Sequence, residues 1–302
     1  MSLRCSDASL ARSEPLYGTA SFVRRWLLVE QPGAWGHDAL MQSRMPLEVG
    51  AELRRRARAA ATRVILIRRG VRFSSEGRQC YFLRTGEGDL YQAQLKLDRV
   101  DDLLDIDLTP LREGGAVEGA EDRRDPLFLV CTHGRHDACC SIRGNQVSRI
   151  ACAHPEAPAW ECSHIGGDRF AANLVCFPHG VYYGRVTPAD VVGLMDDYAR
   201  ARLSLDHYRG RCCYPFAVQA AEYFVRRASA TVAVDAVSLL AVSEVETGIA
   251  AAFVVSGNRQ VDVQVRVEEA GDYRLTCGSS SARPIPRYEL VSCTLGPIGA
   301  AP

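Results

Sequence analysis

The sequence predicts an α/β fold arranged as three consecutive regions, and three observations carry that reading. Short apolar, β-branched runs such as Val64-Ile65-Leu66-Ile67 and Leu127-Phe128-Leu129-Val130 alternate with stretches rich in Ala, Leu, Glu and Arg. A segment from Glu113 to Asp125, rich in Gly, Glu, Asp and Arg and without an apolar face, reads as an exposed linker between two such regions. Past Cys212 the pattern changes to period-two alternation, clearest in Val261, Val263, Val265 and Val267. The expected regions are residues 1–115, a smaller α/β module; 116–211, the module that carries the chemistry; and 212–302, a helix followed by β-hairpin strands.

In the first region, Phe22-Val23 and Trp26 to Val29 predict a strand, and Pro32-Gly33 breaks it. Leu47 to Ala61 predicts a helix, Val64 to Ile67 the next strand, ended by Arg68-Arg69-Gly70, and Tyr81 to Leu83 and Tyr91 to Leu97 two more. In the second, Leu127 to Val130 is a continuous apolar run of the kind found in a buried strand. Gln146 to His154 predicts a short helix and Trp160 to His164 a strand. Leu174 to Phe177 and Val181 to Tyr183 flank Pro178-His179-Gly180 as a hairpin. Thr187, with Pro188 at the first helical position and Asp190 able to reach back, predicts a helix start. Strand, helix, strand, hairpin, helix is the order of a thioredoxin-like domain. In the third region, Phe216 to Arg227 is helical by composition. Ala251 to Val255, the turn Ser256-Gly257-Asn258 and the valine-rich strand make a hairpin, and Tyr273 to Cys277 and Tyr288 to Cys293 add strands.

Basic and acidic residues balance at 36 each. No basic excess favours nucleic acid, and Arg54–Arg56 falls in a helix as a solvated face. No stretch approaches the roughly 20 apolar residues of a membrane span, and Met1 to Cys5 has no apolar run of a signal peptide. The expectation is a cytoplasmic protein that binds neither nucleic acid nor membrane. In a reducing compartment disulfides are disfavoured, so partnered cysteines among the 12 present read as metal ligands or catalytic groups. Cys5, Cys80, Cys152, Cys176, Cys277 and Cys293 are expected to be core or incidental, because free cysteine is a common buried residue.

The chemistry concentrates in Cys131-Thr132-His133-Gly134-Arg135-His136-Asp137-Ala138-Cys139-Cys140 and in Trp160-Glu161-Cys162-Ser163-His164-Ile165-Gly166-Gly167-Asp168-Arg169-Phe170. Soft thiolates select iron–sulfur clusters, zinc or copper(I), and imidazole suits iron and zinc. A loop entering a helix after Cys140 would point N–H groups at a thiolate. If residues 160–164 are extended, Cys162 and His164 share a face. Gly166 and Gly167 would let backbone approach a bulky inorganic group. The residues alone read as a metal site with two ligands from each loop. The tandem Cys-x2-Cys of zinc ribbons and the Cys-x-x-Cys of dithiol oxidoreductases are both missing.

These motifs, with Pro178-His179-Gly180-Val181-Tyr182-Tyr183-Gly184-Arg185-Val186, resemble the sucrase/ferredoxin-like family of thioredoxin-like ferredoxins. The resemblance runs from about Gly18 through Arg211 and is strongest between Cys131 and Arg185. It implies a [2Fe–2S] cluster bound by cysteines spaced Cys-x8-Cys and histidines spaced His-x3-His. Cys131 and Cys140 match the cysteine pair, with Cys139 the alternate to Cys140, and His164 matches the first histidine. Asp168 stands at the second histidine position, a departure, and Cys162 is preferred to it as fourth ligand. His133 and His136 are expected only to support the loop. Gly166 and Gly167 are expected to contact the cluster, and Arg169 or Arg185 to lie near it.

The expected function is a one-electron carrier serving a redox partner protein that the sequence does not identify. The alternatives are a structural zinc site or a thioredoxin-like thiol enzyme using the same loop. A glycosidase needs two carboxylates flanking the sugar bond, and no local motif presents such a pair.

Overall fold

The computed structural model describes residues 3–69, 77–157, 159–256 and 259–297. Gly70 and the expected turn residues Gly257-Asn258 lie outside them. The chain begins with α1 (Cys5–Ala11), then β1 (Arg25–Glu30), α2 (Ala39–Gln42), α3 (Leu47–Ala59), β2 (Arg63–Arg68), β3 (Arg78–Gly86), β4 (Asp89–Leu97), α4 (Thr109–Glu113) and β5 (Glu121–Asp122). Next come β6 (Leu127–Cys131), α5 (Ala138–Ala151), β7 (Trp160–Cys162), β8 (Leu174–Phe177), β9 (Val181–Tyr183), α6 (Val191–Ala199) and β10 (Tyr208–Arg211). The chain ends with α7 (Phe216–Ala228), β11 (Val237–Val245), β12 (Gly248–Val255), β13 (Arg259–Tyr273) and β14 (Arg283–Pro297).

The first ten strands form one sheet in the order β10-β9-β8-β6-β7-β2-β1-β3-β4-β5. In its second half β6 pairs parallel with β7 and antiparallel with β8, and β8 pairs antiparallel with β9. Joined by α5 and followed by α6, this is the strand order of a thioredoxin fold. The first half repeats it: β1 is parallel to β2 and antiparallel to β3, and β3 is antiparallel to β4, with α3 as the crossover. The sequence shows no such repeat, because the two halves share topology and not residue pattern.

The halves meet where β2 pairs antiparallel with β7, Ile67 opposite Cys162 and Arg68 opposite Glu161. Arg68 Nε lies 2.8 Å from Glu161 Oε2 across this seam. The sheet curls strongly. Trp26 on β1 and Phe177 on β8 have ring centroids 5.3 Å apart, although three strands lie between them in the sheet and neighbouring strands are about 4.8 Å apart. A single buried cluster fills the concave side, from Trp26, Leu28 and Ile67 of the first half to Leu129, Cys131, Cys140 and Cys162 of the second. Helices α3 and α5 with α6 cover the convex side of their own halves.

The stretch expected as bare linker is partly built in. Val117 is buried, and Glu121–Asp122 add to the sheet edge at β4. One valine was too weak a signal to mark this docking. Helix α5 also begins eight residues earlier than expected, because Asp137 caps it through Cys139 N–H.

The last four strands make a separate antiparallel sheet, β11-β12-β13-β14, packed on α7. Strand β13 ends at Tyr273, so Tyr273 to Cys277 is not the expected strand; the chain turns there before β14. Helix α7 is tied to β10 by buried charge. Arg211 Nε lies 2.8 Å and Arg226 Nη2 3.0 Å from Glu222 Oε1, while Tyr208 donates to Glu222 Oε2 at 2.7 Å.

Candidate metal centre

Cys131 ends β6 at the centre of the sheet, and Thr132 N–H donates to Cys162 O at 3.2 Å to start the loop. The loop turns at His133 and enters α5, which places Cys140 in the first helical turn. Gly144 lets that helix settle against β6, since a Cβ there would stand 2.0 Å from Cys131 O. The second loop leaves β7 beside β2, with Ser163 N–H donating to Leu66 O at 2.8 Å and Leu66 N–H to Ser163 Oγ at 3.0 Å. That pairing seats His164 beside Cys131.

The outcome is a compact donor group. Ligand atoms of Cys131, Cys140 and His164 lie within 4.8 Å of one another, as do those of His136, His164 and Asp168. Cys140 Sγ is 3.0 Å from Asp168 Oδ1, and His164 Nδ1 is 2.9 Å from the same oxygen. Among the described residues, buried His164 Nδ1 faces Asp168 as an ion-pair partner but has no well-aligned hydrogen bond. Cys162 is wholly buried beside Cys131, its direct partner in the parallel strand pair. The four residues at the Cys-x8-Cys and His-x3-Asp positions are therefore brought together, and Cys162 stands behind Cys131.

The electrostatics separate the three thiols. Thiol donors from Cys140 and then Cys162 hold Cys131 well below the usual thiol range, against its burial, with His164 helping. The Cys131 contact and burial push Cys140 up, and burial pushes Cys162 well up. Burial opposes the charged form of His164, yet Asp168 and Cys131 together hold it at about 9. Without a ligand the site is thus one thiolate beside one imidazolium, with two protonated thiols.

His133 is committed to structure. Its Nε2 donates to Gly36 O at 2.7 Å while its Nδ1 accepts from His164 N–H at 3.2 Å. Burial accordingly lowers its pKa. The His136 ring stacks on His164 at 3.7 Å, and the His37 ring is 5.2 Å beyond it. These rings with Arg58 and Arg63 line a cavity of about 440 Å³ that leads outward from the donor group. In the sequence the stretch Trp35-Gly36-His37-Asp38 reads only as a structural turn, since the partner of His37, His136, lies 99 positions away.

Gly166 and Gly167 both have positive φ, +99° and +82°, but the space they leave is taken by protein. A Cβ on Gly166 would meet Ser21 Oγ, and one on Gly167 the Arg209 guanidinium, each at 2.3 Å. Buried Arg209 holds this loop by donating to Gly166 O at 3.1 Å and Asn173 Oδ1 at 2.8 Å. Arg169 is engaged by Glu14, Nε to Oε1 at 2.7 Å. Arg185 donates to Glu14 O at 2.7 Å and Ser9 Oγ at 3.1 Å. Neither cysteine Cys5 nor Cys277 is incidental: both meet Cys139 in a second cluster. Sequence reasoning missed it because the three cysteines are 134 to 272 positions apart.

A thioredoxin-like half carrying a cysteine–histidine donor group defines a class. The chain belongs to the Sucrase/ferredoxin-like family, whose model matches residues 16–210. It is 31% identical over 118 residues to "Altered inheritance of mitochondria protein 32" of Meyerozyma guilliermondii, covering 35% of this chain and 42% of that protein. It is 31% identical over 87 residues to the protein of the same name from Debaryomyces hansenii, covering 26% of this chain and 32% of that one. The matches thus span less than half the length of these relatives. Among solved structures it is similar to a cysteine-to-serine variant of the thioredoxin-like [2Fe-2S] ferredoxin from Aquifex aeolicus. That match is 16% identical, covers 28% of this chain and 95% of the other, and has a TM-score of 0.24. Among the described residues no helix is long and apolar enough to cross a membrane.

Proposed function

We propose that this protein carries single electrons on a [2Fe–2S] cluster held by Cys131, Cys140, His164 and Asp168. The observation that carries the reading is the donor group itself: two sulfurs and an imidazole within 4.8 Å of one another, with the Asp168 carboxylate touching both Cys140 and His164. Soft sulfur with imidazole is a donor set that iron accepts.

The geometry favours Asp168 over Cys162 as fourth ligand. Asp168 already touches both Cys140 and His164, whereas Cys162 lies behind Cys131. In this reading the Cys162 thiol donates to Cys131 sulfur and so tunes it, as hydrogen bonds to cluster sulfurs do. The bound cluster would supply reversible one-electron chemistry. The chain supplies four donors and, between the site and the surface, the His136 ring stacked on His164 with the His37 ring beyond it. A redox partner would dock over the cavity that those rings line. Cytoplasmic placement is part of this proposal.

The thiol-enzyme reading, with Cys139 or Cys140 as nucleophile, is weaker: Cys140 is buried and held as the protonated thiol, and Cys139, though lowered to about 6 by Cys5, is equally buried. Iron and acid-labile sulfide analysis of anaerobically purified protein tests the proposal. Equal amounts of both, at the level of one [2Fe–2S] per chain, are expected. Zinc at Cys131 and Cys140 without sulfide would replace the carrier by a structural site.

A further inference from the structure

Cys5, Asp137, Cys139 and Cys277 come together from three distant parts of the chain: helix α1, the start of α5 and the turn between β13 and β14. The sulfurs form a nearly equilateral triangle. Cys5 and Cys139 are 3.5 Å apart, Cys139 and Cys277 3.4 Å, and Cys277 and Cys5 3.6 Å. Asp137 Oδ2 and Oδ1 stand 3.7 and 3.8 Å from Cys5 Sγ. A tetrahedral zinc ion with Zn–S near 2.3 Å and Zn–O near 2.1 Å sets neighbouring sulfurs about 3.8 Å apart and sulfur to oxygen about 3.6 Å apart. The sulfur–sulfur edges, slightly contracted, and the Cys5–Asp137 edge match such a tetrahedron, and all four donor atoms lie within 4.8 Å of one another.

A second observation points the same way. The Asp137 carboxylate is buried, and among the described residues no Arg, Lys or His lies within ion-pair distance of it. It is oriented instead by two backbone donors, Cys139 N–H at 2.8 Å and Cys277 N–H at 2.6 Å. Hydrogen-bonded carboxylates with lone pairs to spare are how protein metal ligands are held. A buried carboxylate without a counter-charge is costly, and a divalent cation at the centre of the three sulfurs removes that cost.

We propose that Cys5, Asp137, Cys139 and Cys277 bind a structural zinc ion, separate from the Cys131–His164 centre. Four protein donors leave no open position, which is the pattern of structural rather than catalytic zinc. The ion would clamp the amino-terminal helix and the turn of the last sheet onto the start of α5, whose next residue, Cys140, belongs to the other centre. Cys277 is exposed, so the ion has a route in.

Metal analysis of the full-length protein, as purified and after titration with Zn²⁺, tests this, with Co²⁺ as the spectroscopic probe. One zinc equivalent is expected, lost in the variant Cys5→Ser/Cys277→Ser while iron and sulfide stay at wild-type levels. Cys277→Ala alone, at an exposed turn position that folding tolerates, should also lose it. Cys131→Ser should lose iron yet keep zinc. Co²⁺ should give a thiolate charge-transfer band in the wild type and not in Cys277→Ala. The proposal is overturned by any of three results: no zinc uptake and no cobalt–thiolate band, a zinc equivalent that persists in the double variant, or a Cys5–Cys139 disulfide in protein purified under reducing conditions.

Discussion

Cys139 and Cys140 are consecutive in the chain and serve different clusters. Cys139 Sγ lies 3.5 Å from Cys5 Sγ, while Cys140 Sγ lies 3.0 Å from Asp168 Oδ1. Successive residues in a helix turn point about 100° apart, so a cysteine pair in the first turn of α5 cannot aim both sulfurs at one centre. The predictions below follow from which sulfur faces which group.

Asp168→Ala should remove most of the iron, because it deletes the oxygen placed between Cys140 and His164. Cys162→Ala should leave iron content near wild type and shift only the potential and the line shape of the reduced signal. Iron analysis with electron paramagnetic resonance of both variants checks this. Full loss in Cys162→Ala with retention in Asp168→Ala would give the fourth ligand to Cys162.

With the cluster bound, the reduction potential should depend on pH through His164. Oxidised iron withdraws more electron density than reduced iron, so a bound imidazole is more acidic in the oxidised state. Reduction therefore takes up a proton between the two acidities, and the potential falls as pH rises through that window. With one histidine the potential should lie between roughly −400 mV for all-cysteine ferredoxins and the range of about −150 to +300 mV for two-histidine centres. Potentiometry on wild type and His164→Cys tests it; the variant should be lower and independent of pH.

The apoprotein should hold a thiolate at neutral pH. Cys131 is depressed by Cys140, Cys162 and His164, so its thiolate persists as pH falls from 9 towards neutrality and is lost only at its own lower pKa. His164, raised to about 9, keeps its proton over the same interval. Relative to the unfolded chain the fold lacks one proton at Cys131 and holds one extra at His164. Below the ordinary thiol range of about 8.5 and above the ordinary imidazole value of about 6.5 these cancel wherever the Cys131 thiolate persists, so this pair contributes no slope to stability there. Cys139, lowered to about 6 chiefly by the Cys5 thiol, should give a second thiolate at pH 7. Ultraviolet titration should show that Cys131→Ser removes one of the two, and denaturation midpoints should show no slope from the Cys131–His164 pair.

Gly144→Ala should destabilise the apoprotein by about 1–3 kcal/mol, the usual cost of overpacking, and lower its iron content. Its Cβ would collide with Cys131 O and push α5, with Cys140, off β6. Urea denaturation compared with an exposed Gly193→Ala control, which meets nothing within 4 Å, measures it.

Much of this was legible in the sequence. Runs such as Leu127 to Val130 mark strands by burial alone, and the two cysteine–histidine loops with the family resemblance of Cys131, Cys140 and His164 point to the donor group, although the sequence favours Cys162 there over Asp168. The illegible parts are long-range. The β2–β7 seam that fuses two thioredoxin-like halves depends on an edge pairing with no side-chain signature. The space above Gly166 and Gly167 looked meant for an inorganic group and is filled by Ser21 and Arg209. Cys5 and Cys277 looked incidental, because only the folded chain brings the first helix and the last hairpin turn to Cys139.

The central claim is that Cys131, Cys140 and His164 hold a [2Fe–2S] cluster, and electron paramagnetic resonance of the dithionite-reduced, anaerobically purified protein tests it most directly. The account predicts brown protein with an unpaired-electron signal of about one spin per cluster, abolished by Cys131→Ser and by Cys140→Ser and unaffected by Cys293→Ser. Colourless protein without that signal, or a signal that survives both substitutions, would contradict it.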